Sequence, residues 1–485
     1  MLCRPFLTLT LATIAGLAPL AAAERGAAAA SEPAPIAASI ATPIATRVDS
    51  YATVVTEVGP SVVTVFSSRT RPRGAQQQLP PDLPPMFREF IGPGGPELPE
   101  DQKQEGLGSG VVISADGFIL TNHHVVKDAD EVRVRLANNY DEYVAKVVGS
   151  DAKSDLAVLK IDVGSTSLRP VRFADSTKAQ VGDVVLAIGN PLGVGQTVTM
   201  GIVSAVNRGV GIVDYEDFIQ TDAAINMGNS GGALVSTGGE LLGINTAILS
   251  RSGGSIGIGF AVPANLARGV MEQIIAGGTV VRGFLGVMIQ PVTPELATAM
   301  KLKRHEGALV GDVSPDSPAA KAGLVAGDVI IAYADEPITD PRQLRLRVAQ
   351  SKPGTTVPVT VVRQGEEKRI EVAVGTLSGD DTVAAKRDEP NRVQGGGIGV
   401  RLQPLDDRLR RRMRIPERIV GALIAEVEPG SRAAGAGLRP GEVIHVVNGE
   451  AVADAETVAA AVRAAKDGLV LRVWSEGGSR FVAVK

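Results

Sequence analysis

The sequence predicts a mainly β chain: a barrel-type β region, then two copies of a smaller β-rich module. Three observations carry this. From Gly108 to Pro263, short Val/Ile-rich runs alternate with Gly, Asn and Asp turns, the signature of barrel strands. The C-terminal half repeats itself: Val313-Ser-Pro-Asp-Ser-Pro-Ala-Ala-Lys-Ala-Gly323-Leu-Val-Ala-Gly327-Asp-Val-Ile returns 114 residues later as Val427-Glu-Pro-Gly-Ser-Arg-Ala-Ala-Gly-Ala-Gly437-Leu-Arg-Pro-Gly441-Glu-Val-Ile. That offset is a domain length, not a solenoid period. Composition agrees, with one Trp, 3% aromatics and much Gly, Ala and Val, as suits barrels packed from small and branched side chains. The 485 residues are too many for one domain. The net charge is −4 and the basic residues are dispersed, so nothing argues for nucleic-acid binding.

The elements follow in order. Residues 1–23 read as a signal peptide: Arg4 precedes an apolar run that closes on Ala21-Ala22-Ala23, an A-x-A cleavage signal. The single cysteine, Cys3, lies inside it, so a cut after Ala23 leaves a mature chain without cysteine. The run is close to the minimum length for a bilayer span, so a retained anchor, and with it membrane association, stays open. Residues 24–47 are Ala/Pro/Ser-rich and read as a disordered leader. A domain over 48–277 opens with a helical or extended approach and the strand Ser61-Val-Val-Thr-Val-Phe66. Residues 67–106 are rich in Pro, Gly and Gln and read as a long loop. It carries an apolar island, Met86, Phe87, Phe90 and Ile91, expected to seek a partner surface. Ala264–Ala276 reads as an amphipathic helix ending at Gly277-Gly278. The repeat copies occupy 280–377 and 395–485, with a polar flexible linker over 378–394.

Chemistry concentrates in Gly228-Asn229-Ser230-Gly-Gly. A serine hydroxyl is a weak nucleophile unless a base takes its proton, a third group orients that base, and donors hold the oxyanion. Glycine before Ser230 lets the backbone N–H groups of Gly228 and Ser230 converge on one hollow. A base candidate lies upstream in Thr121-Asn-His123-His124-Val-Val, and an acid in Ser154-Asp155-Leu-Ala-Val-Leu. The order His, Asp, Ser is one of the known triad orders. Adjacent side chains diverge, so only one histidine of the pair can meet Ser230.

These three strings, with Gly243-Ile-Asn-Thr-Ala-Ile-Leu and Gly257-Ile-Gly-Phe-Ala-Val-Pro, resemble the HtrA (DegP/DegQ-like) serine proteases over nearly the whole chain. The resemblance implies a chymotrypsin-like double β-barrel followed by two PDZ domains. It selects His124, which directly precedes Val125, and leaves His123 partly exposed. It selects Asp155 as the acid, leaving Asp151 a solvated turn residue. The oxyanion turn is then Gly228, Asn229 and Ser230. Asn229 carries no charge to pair with a cut N-terminus, so zymogen cleavage is not expected. Instead, loops over 210–218, 225–229 and 250–255 are expected to switch between ordered and disordered forms. The pocket wall is assigned to Ile225, Met227, Asn245, Thr246, Ala247 and Ile248. Ala224 stands six residues before the serine, where an acid would select Lys or Arg. Cleavage after Val, Ala or Ile follows.

Arg282-Gly283-Phe284-Leu285-Gly286-Val287 resembles the PDZ loop that captures a C-terminal carboxylate, so a chain end would add a strand beside it. The second copy offers only Gly397-Ile-Gly399-Val400, and whether it binds peptide or serves assembly alone stays open. The family resemblance further implies a periplasmic, ATP-independent endopeptidase acting on unfolded envelope proteins. It implies trimers or multiples of trimers, a possible chaperone activity, and no metal or organic cofactor. A site-specific signalling protease and a non-proteolytic scaffold are the competing classes. Two repeat copies and a cleavable leader favour broad quality control.

Overall fold

The computed structural model describes residues 50–70, 103–137, 141–164, 166–190, 195–248, 254–377, 393–395, 397–465, 468–475 and 478–484. The expected signal peptide, leader and apolar island lie outside them.

The first barrel closes in the order Val62–Thr70, Lys103–Val112, Phe118–Thr121, Leu156–Ile161, Glu142–Asp151, Glu131–Arg135 and back to Val62–Thr70. Strand Glu131–Arg135 shows why it forms. In Glu-Val-Arg-Val-Arg, Val132 and Val134 point inward and are buried, while Arg133 and Arg135 turn outward to Glu142 on the next strand. The first hairpin is longer than the sequence suggests. Its ladder continues from Ser67 opposite Gly106 to Thr70 opposite Lys103, so both ends of the expected 67–106 loop are strand. Asp151 also departs from expectation. It ends strand Glu142–Asp151 and is 8% exposed, not a solvated turn residue.

The second barrel runs Ala233–Ser236, Val184–Gly189, Thr197–Arg208, Phe218–Thr221, Gly259–Pro263 and Glu240–Ile248, which pairs back with Ala233–Ser236. Arg172–Phe173 adds a short parallel strand at Glu240–Leu241. The helix Ala264–Gly277 packs against strands of both barrels. Leu266, Ala267, Val270 and Ile274 form its buried stripe at helical spacing. Gly278 ends it in the left-handed conformation, its N–H donating to the Ile274 carbonyl at 2.8 Å. One core, including Leu120 and Leu156 of the first barrel and Ile188 and Ile244 of the second, runs beneath this helix.

The two repeat copies fold alike. Each turns at a buried acid held by an arginine from its last hairpin. Arg363 Nε lies 2.6 Å from Asp328 and Arg480 lies 2.8 Å from Glu442. In each, the same guanidinium also donates at 2.8 Å to a glycine carbonyl, Gly323 or Gly437. One difference corrects the sequence expectation: Val393–Gly395, at the end of the expected flexible linker, is a strand paired with Val400–Pro404.

The copies also touch. Gln290 donates to the Phe481 carbonyl at 3.0 Å and accepts from its N–H at 2.7 Å. Buried Asp312 accepts from Arg472 at 2.9 Å, the Ser479 N–H at 3.2 Å and Arg418 at 3.4 Å. Beside them His445 is 9% exposed, and burial together with the Arg472 charge pushes its pKa down to about 4. The unfolded chain therefore binds the extra proton from the ordinary 6.5 downward, whereas the folded chain resists it until about 4. Stability is expected to fall as pH drops through that window, by about 3 kcal/mol once it is crossed. Urea unfolding at pH 7 and pH 4.5 reads the loss, and His445→Gln should narrow it. An unchanged pH dependence in the variant would show that His445 has no part in it.

Candidate active site

Each candidate residue is placed by a short element. His124 lies in the helical turn His123–Val126 that follows strand Phe118–Thr121. Asp155 precedes strand Leu156–Ile161, and Ser230 precedes strand Ala233–Ser236 of the other barrel. His124 and Asp155 meet directly: Nδ1 of the imidazole is 2.8 Å from one carboxylate oxygen and 3.0 Å from the other. The His124 backbone N–H also donates to this carboxylate at 3.0 Å. Burial works to raise the Asp155 pKa, but the facing imidazole and three hydrogen bonds outweigh it and hold the carboxyl below its usual range. The acid is fixed as an anion with its imidazole partner oriented.

Thr246 links the two barrels. Its hydroxyl donates to Asp155 at 2.5 Å, and its carbonyl accepts from the Ser230 hydroxyl at 3.2 Å. For His124 to take the serine proton, the hydroxyl must turn from that carbonyl. Gly228 and Gly231 hold φ of +94° and +85° on either side of the serine. A Cβ at Gly231 would stand 2.0 Å from the Ser109 carbonyl oxygen, so only glycine fits there. Among the described residues, the N–H groups of Gly228 and Ser230 have no hydrogen-bond partner, while Asn229 N–H donates to Asn226 at 3.0 Å and Gly231 N–H to Asn245 at 2.8 Å. Two free donors therefore flank the serine.

Several contributors escape sequence reasoning. Asn122 is fully buried and donates at 2.9 Å to the Asp155 carbonyl. It thereby anchors an aspartate whose φ of +56° is unusual outside glycine. Ser109 receives the Asn190 N–H at 2.9 Å and donates to the Gly228 carbonyl at 2.6 Å, fixing the turn before the nucleophile candidate. A serine between two glycines, Gly108 and Gly110, inside an apolar strand is the signal that could have found it. In the loop after Thr197–Arg208, buried Glu216 accepts N–H groups from Gly211 and Val213, each at 2.8 Å, and from Val210 and Ile212. This loop is closed on its own acid.

The expected pocket residues separate. Met227 is 47% exposed. Ile225 is buried, its side chain against Gly259, and Ala247 and Ile248 are buried behind the wall. Asn245 corrects the expectation: it is wholly buried and its amide donates to the Ala233 carbonyl at 3.0 Å, so it supports the strand rather than lining a pocket. The guanidinium of Arg282, in the expected peptide loop, is engaged outside that loop. It grips Asp151 of the first barrel at 2.9 and 2.5 Å and lies 4.4 Å above the Tyr215 ring. His123 turns away to Ser150 at 3.1 Å.

Known proteins share this plan. A trypsin-like peptidase domain matches residues 108–244, and PDZ domains match residues 283–374 and 423–474. A probable periplasmic serine endoprotease, DegP-like, of Rhizobium meliloti is 40% identical over 478 residues, covering 91% of this chain and 92% of its own. The chain belongs to the HtrA (DegP-like) family of serine endoproteases. The correspondingly named protein of Chlamydia trachomatis serovar D is 43% identical over 404 residues, covering 82% of this chain and 79% of its own. Among solved structures, the HtrA-type protease AlgW with a decapeptide is 46% identical, with a TM-score of 0.55, covering 68% of this chain and 99% of that one. This HtrA-family chain is therefore a serine endopeptidase built from a trypsin-like domain and two PDZ domains.

Within that family frame, Asp155→Asn is expected to lower kcat about 10⁴-fold with the fold intact, because the amide no longer fixes the imidazole tautomer. Hydrolysis of a fluorogenic peptide, with a thermal melt as control, checks it. Near-normal turnover would remove Asp155 from the machinery.

Proposed function

We propose that this endopeptidase is exported to the periplasm and degrades unfolded envelope proteins, with Ser230 as nucleophile, His124 as base and Asp155 as its orienting acid. The observation that carries the proposal is the set of contacts joining Asp155 to His124 on one side and, through Thr246, to Ser230 on the other, beside the N–H groups of Gly228 and Ser230, which have no partner among the described residues. Ser230 Oγ attacks the scissile carbonyl and its proton passes to His124, which returns it to the leaving amine. The two N–H groups stabilise the oxyanion, each worth about 3–4 kcal/mol in the transition state. Ile225 beneath Gly259 supports an apolar pocket floor, hence a small aliphatic residue before the cut bond. The edge of strand Val287–Pro291, beside helix Pro341–Gln350, supports capture of a substrate's C-terminal chain end by strand addition. A holding activity toward unfolded chains is the secondary expectation.

Digestion of reduced casein alongside a compact folded protein tests the substrate class. Casein alone should be cut, and the new C-termini should be Val, Ala or Ile. Equal cleavage of both proteins, or a clear preference for Arg or Lys, would overturn the proposal.

A further inference from the structure

The two PDZ domains differ at the edge where a peptide would add. In the first, strand Val287–Pro291 pairs on one side with Ala308–Val313 and is, among the described residues, the last strand of its sheet. In the second, the corresponding strand Val400–Pro404 pairs with Ala422–Val427 and, on its other side, with Val393–Gly395. The added segment is antiparallel: Val393 stands opposite Leu402, Gln394 opposite Arg401 and Gly395 opposite Val400. Its backbone also lies against helix Ala455–Ala464, the counterpart of Pro341–Gln350. It therefore occupies the slot between edge strand and helix.

Its direction matches that of a ligand. A peptide captured by its chain end runs antiparallel to the edge strand and finishes at the glycine loop before it. Residues 393–395 run antiparallel and shortly precede 397–399, the loop before Val400. The two loops are otherwise built alike. In the first domain the Leu285 and Gly286 carbonyls accept from Ala319 and Ser314, each at 2.8 Å. In the second the Ile398 and Gly399 carbonyls accept from Ala433 and Glu428, each at 2.9 Å. The approach to the loop is what differs. Before Gly283 the chain is fixed by Arg282, whose guanidinium is held by Asp151 and whose carbonyl accepts from Leu377 at 2.9 Å. That anchoring keeps residues ahead of the loop out of the first groove. The second loop follows the 378–394 linker, and its last residues fold back onto the edge strand.

We propose that the second PDZ domain carries its ligand in cis: residues 393–395 fill its peptide groove, and the first domain alone offers an open edge to a foreign C-terminus. The comparison between the domains rests on the proposed capture of chain ends by the first, whereas occupancy of the second groove does not. A tethered segment acts at an effective concentration near the millimolar range, so even a weak strand pairing excludes a free peptide. Foreign peptide enters the second domain only after the segment leaves.

Binding of a fluorescein-labelled pool of decapeptides ending in valine, with a free carboxylate, tests this in the mature chain from residue 24 carrying Ser230→Ala. The first groove is disabled by Gly286→Ala, whose added Cβ would meet the Ser317 Cβ at 2.3 Å. In that background the intact linker should give no binding. Val393→Pro with Gln394→Pro, which removes the one N–H of this adjacent pair that points at Val400–Pro404 whichever of the two it is, should create one site at least about tenfold tighter. A second arm covers misfolding: Val393→Cys with Leu402→Cys should oxidise to a cross-link and still exclude the peptide. Binding with the linker intact, binding to the cross-linked chain, or no gain on release in a folded variant would each overturn the inference. Absence of peptide binding to the chain with both grooves unmodified would instead count against capture by the first domain, and the released variant would still report on the second.

Discussion

Mature protein carrying Ser230→Ala is expected to degrade reduced casein about 10⁶-fold more slowly in kcat than the unmodified chain. The alanine removes the hydroxyl that donates to the Thr246 carbonyl and that the proposed mechanism uses as nucleophile. His124→Ala should cost about as much, and the double variant no more than either, because nucleophile and base act as one unit. The melting temperature of Ser230→Ala should match the unmodified chain, since among the described residues the hydroxyl makes a single hydrogen bond of 3.2 Å. Casein cleavage at an undiminished rate by a purified Ser230→Ala chain would mean that the nucleophile lies elsewhere.

The second large effect is on stability. Arg282→Met should destabilise the chain by about 3–5 kcal/mol, because Asp151 is then left as a buried carboxylate without its cation. Both side chains are under 10% exposed, and the pair is bidentate, so the loss is not that of a surface ion pair. Ser154 also donates to Asp151, and this serine immediately precedes Asp155. The same substitution should therefore disturb the acid as well as the junction with the first PDZ domain. Adding Asp151→Leu to Arg282→Met should return much of the stability, since a matched apolar pair costs less than one buried charge. Urea unfolding of both variants in the Ser230→Ala background, free of self-cleavage, reads the difference. A loss below about 1 kcal/mol for Arg282→Met would show that Asp151 is solvated after all.

Local wording carried much of this protein. The Val/Ile alternation in Glu131–Arg135 is visible without coordinates, because a strand's period of two depends on the strand alone. The 114-residue repeat likewise exposes two modules, since both copies must make the same turns at Gly323 and Gly437. The strings around His124, Asp155 and Ser230 nominate those residues through their resemblance to one family, since residue type alone leaves His123 and Asp151 open. Asp151 and Arg282 show where this ends. Read locally, one is a turn residue in Gly-Ser-Asp-Ala-Lys and the other part of a peptide loop. Their pairing spans 131 positions, and neither string mentions the other.

The same limit applies to Asn122, Ser109 and Asn245, whose partners lie 33, 119 and 12 residues away. The sequence by itself determined the fold class and the module plan, because each depends on periodicity or on neighbours within a few positions. Only the tertiary structure decided which polar groups lose water and to whom they turn. That holds for Thr246 between Asp155 and Ser230, for Arg282 on Asp151, and for Val393–Gly395 along Val400–Pro404. Burial of a polar group is set by whatever packs over it, and that is fixed by chain closure rather than by the residue itself.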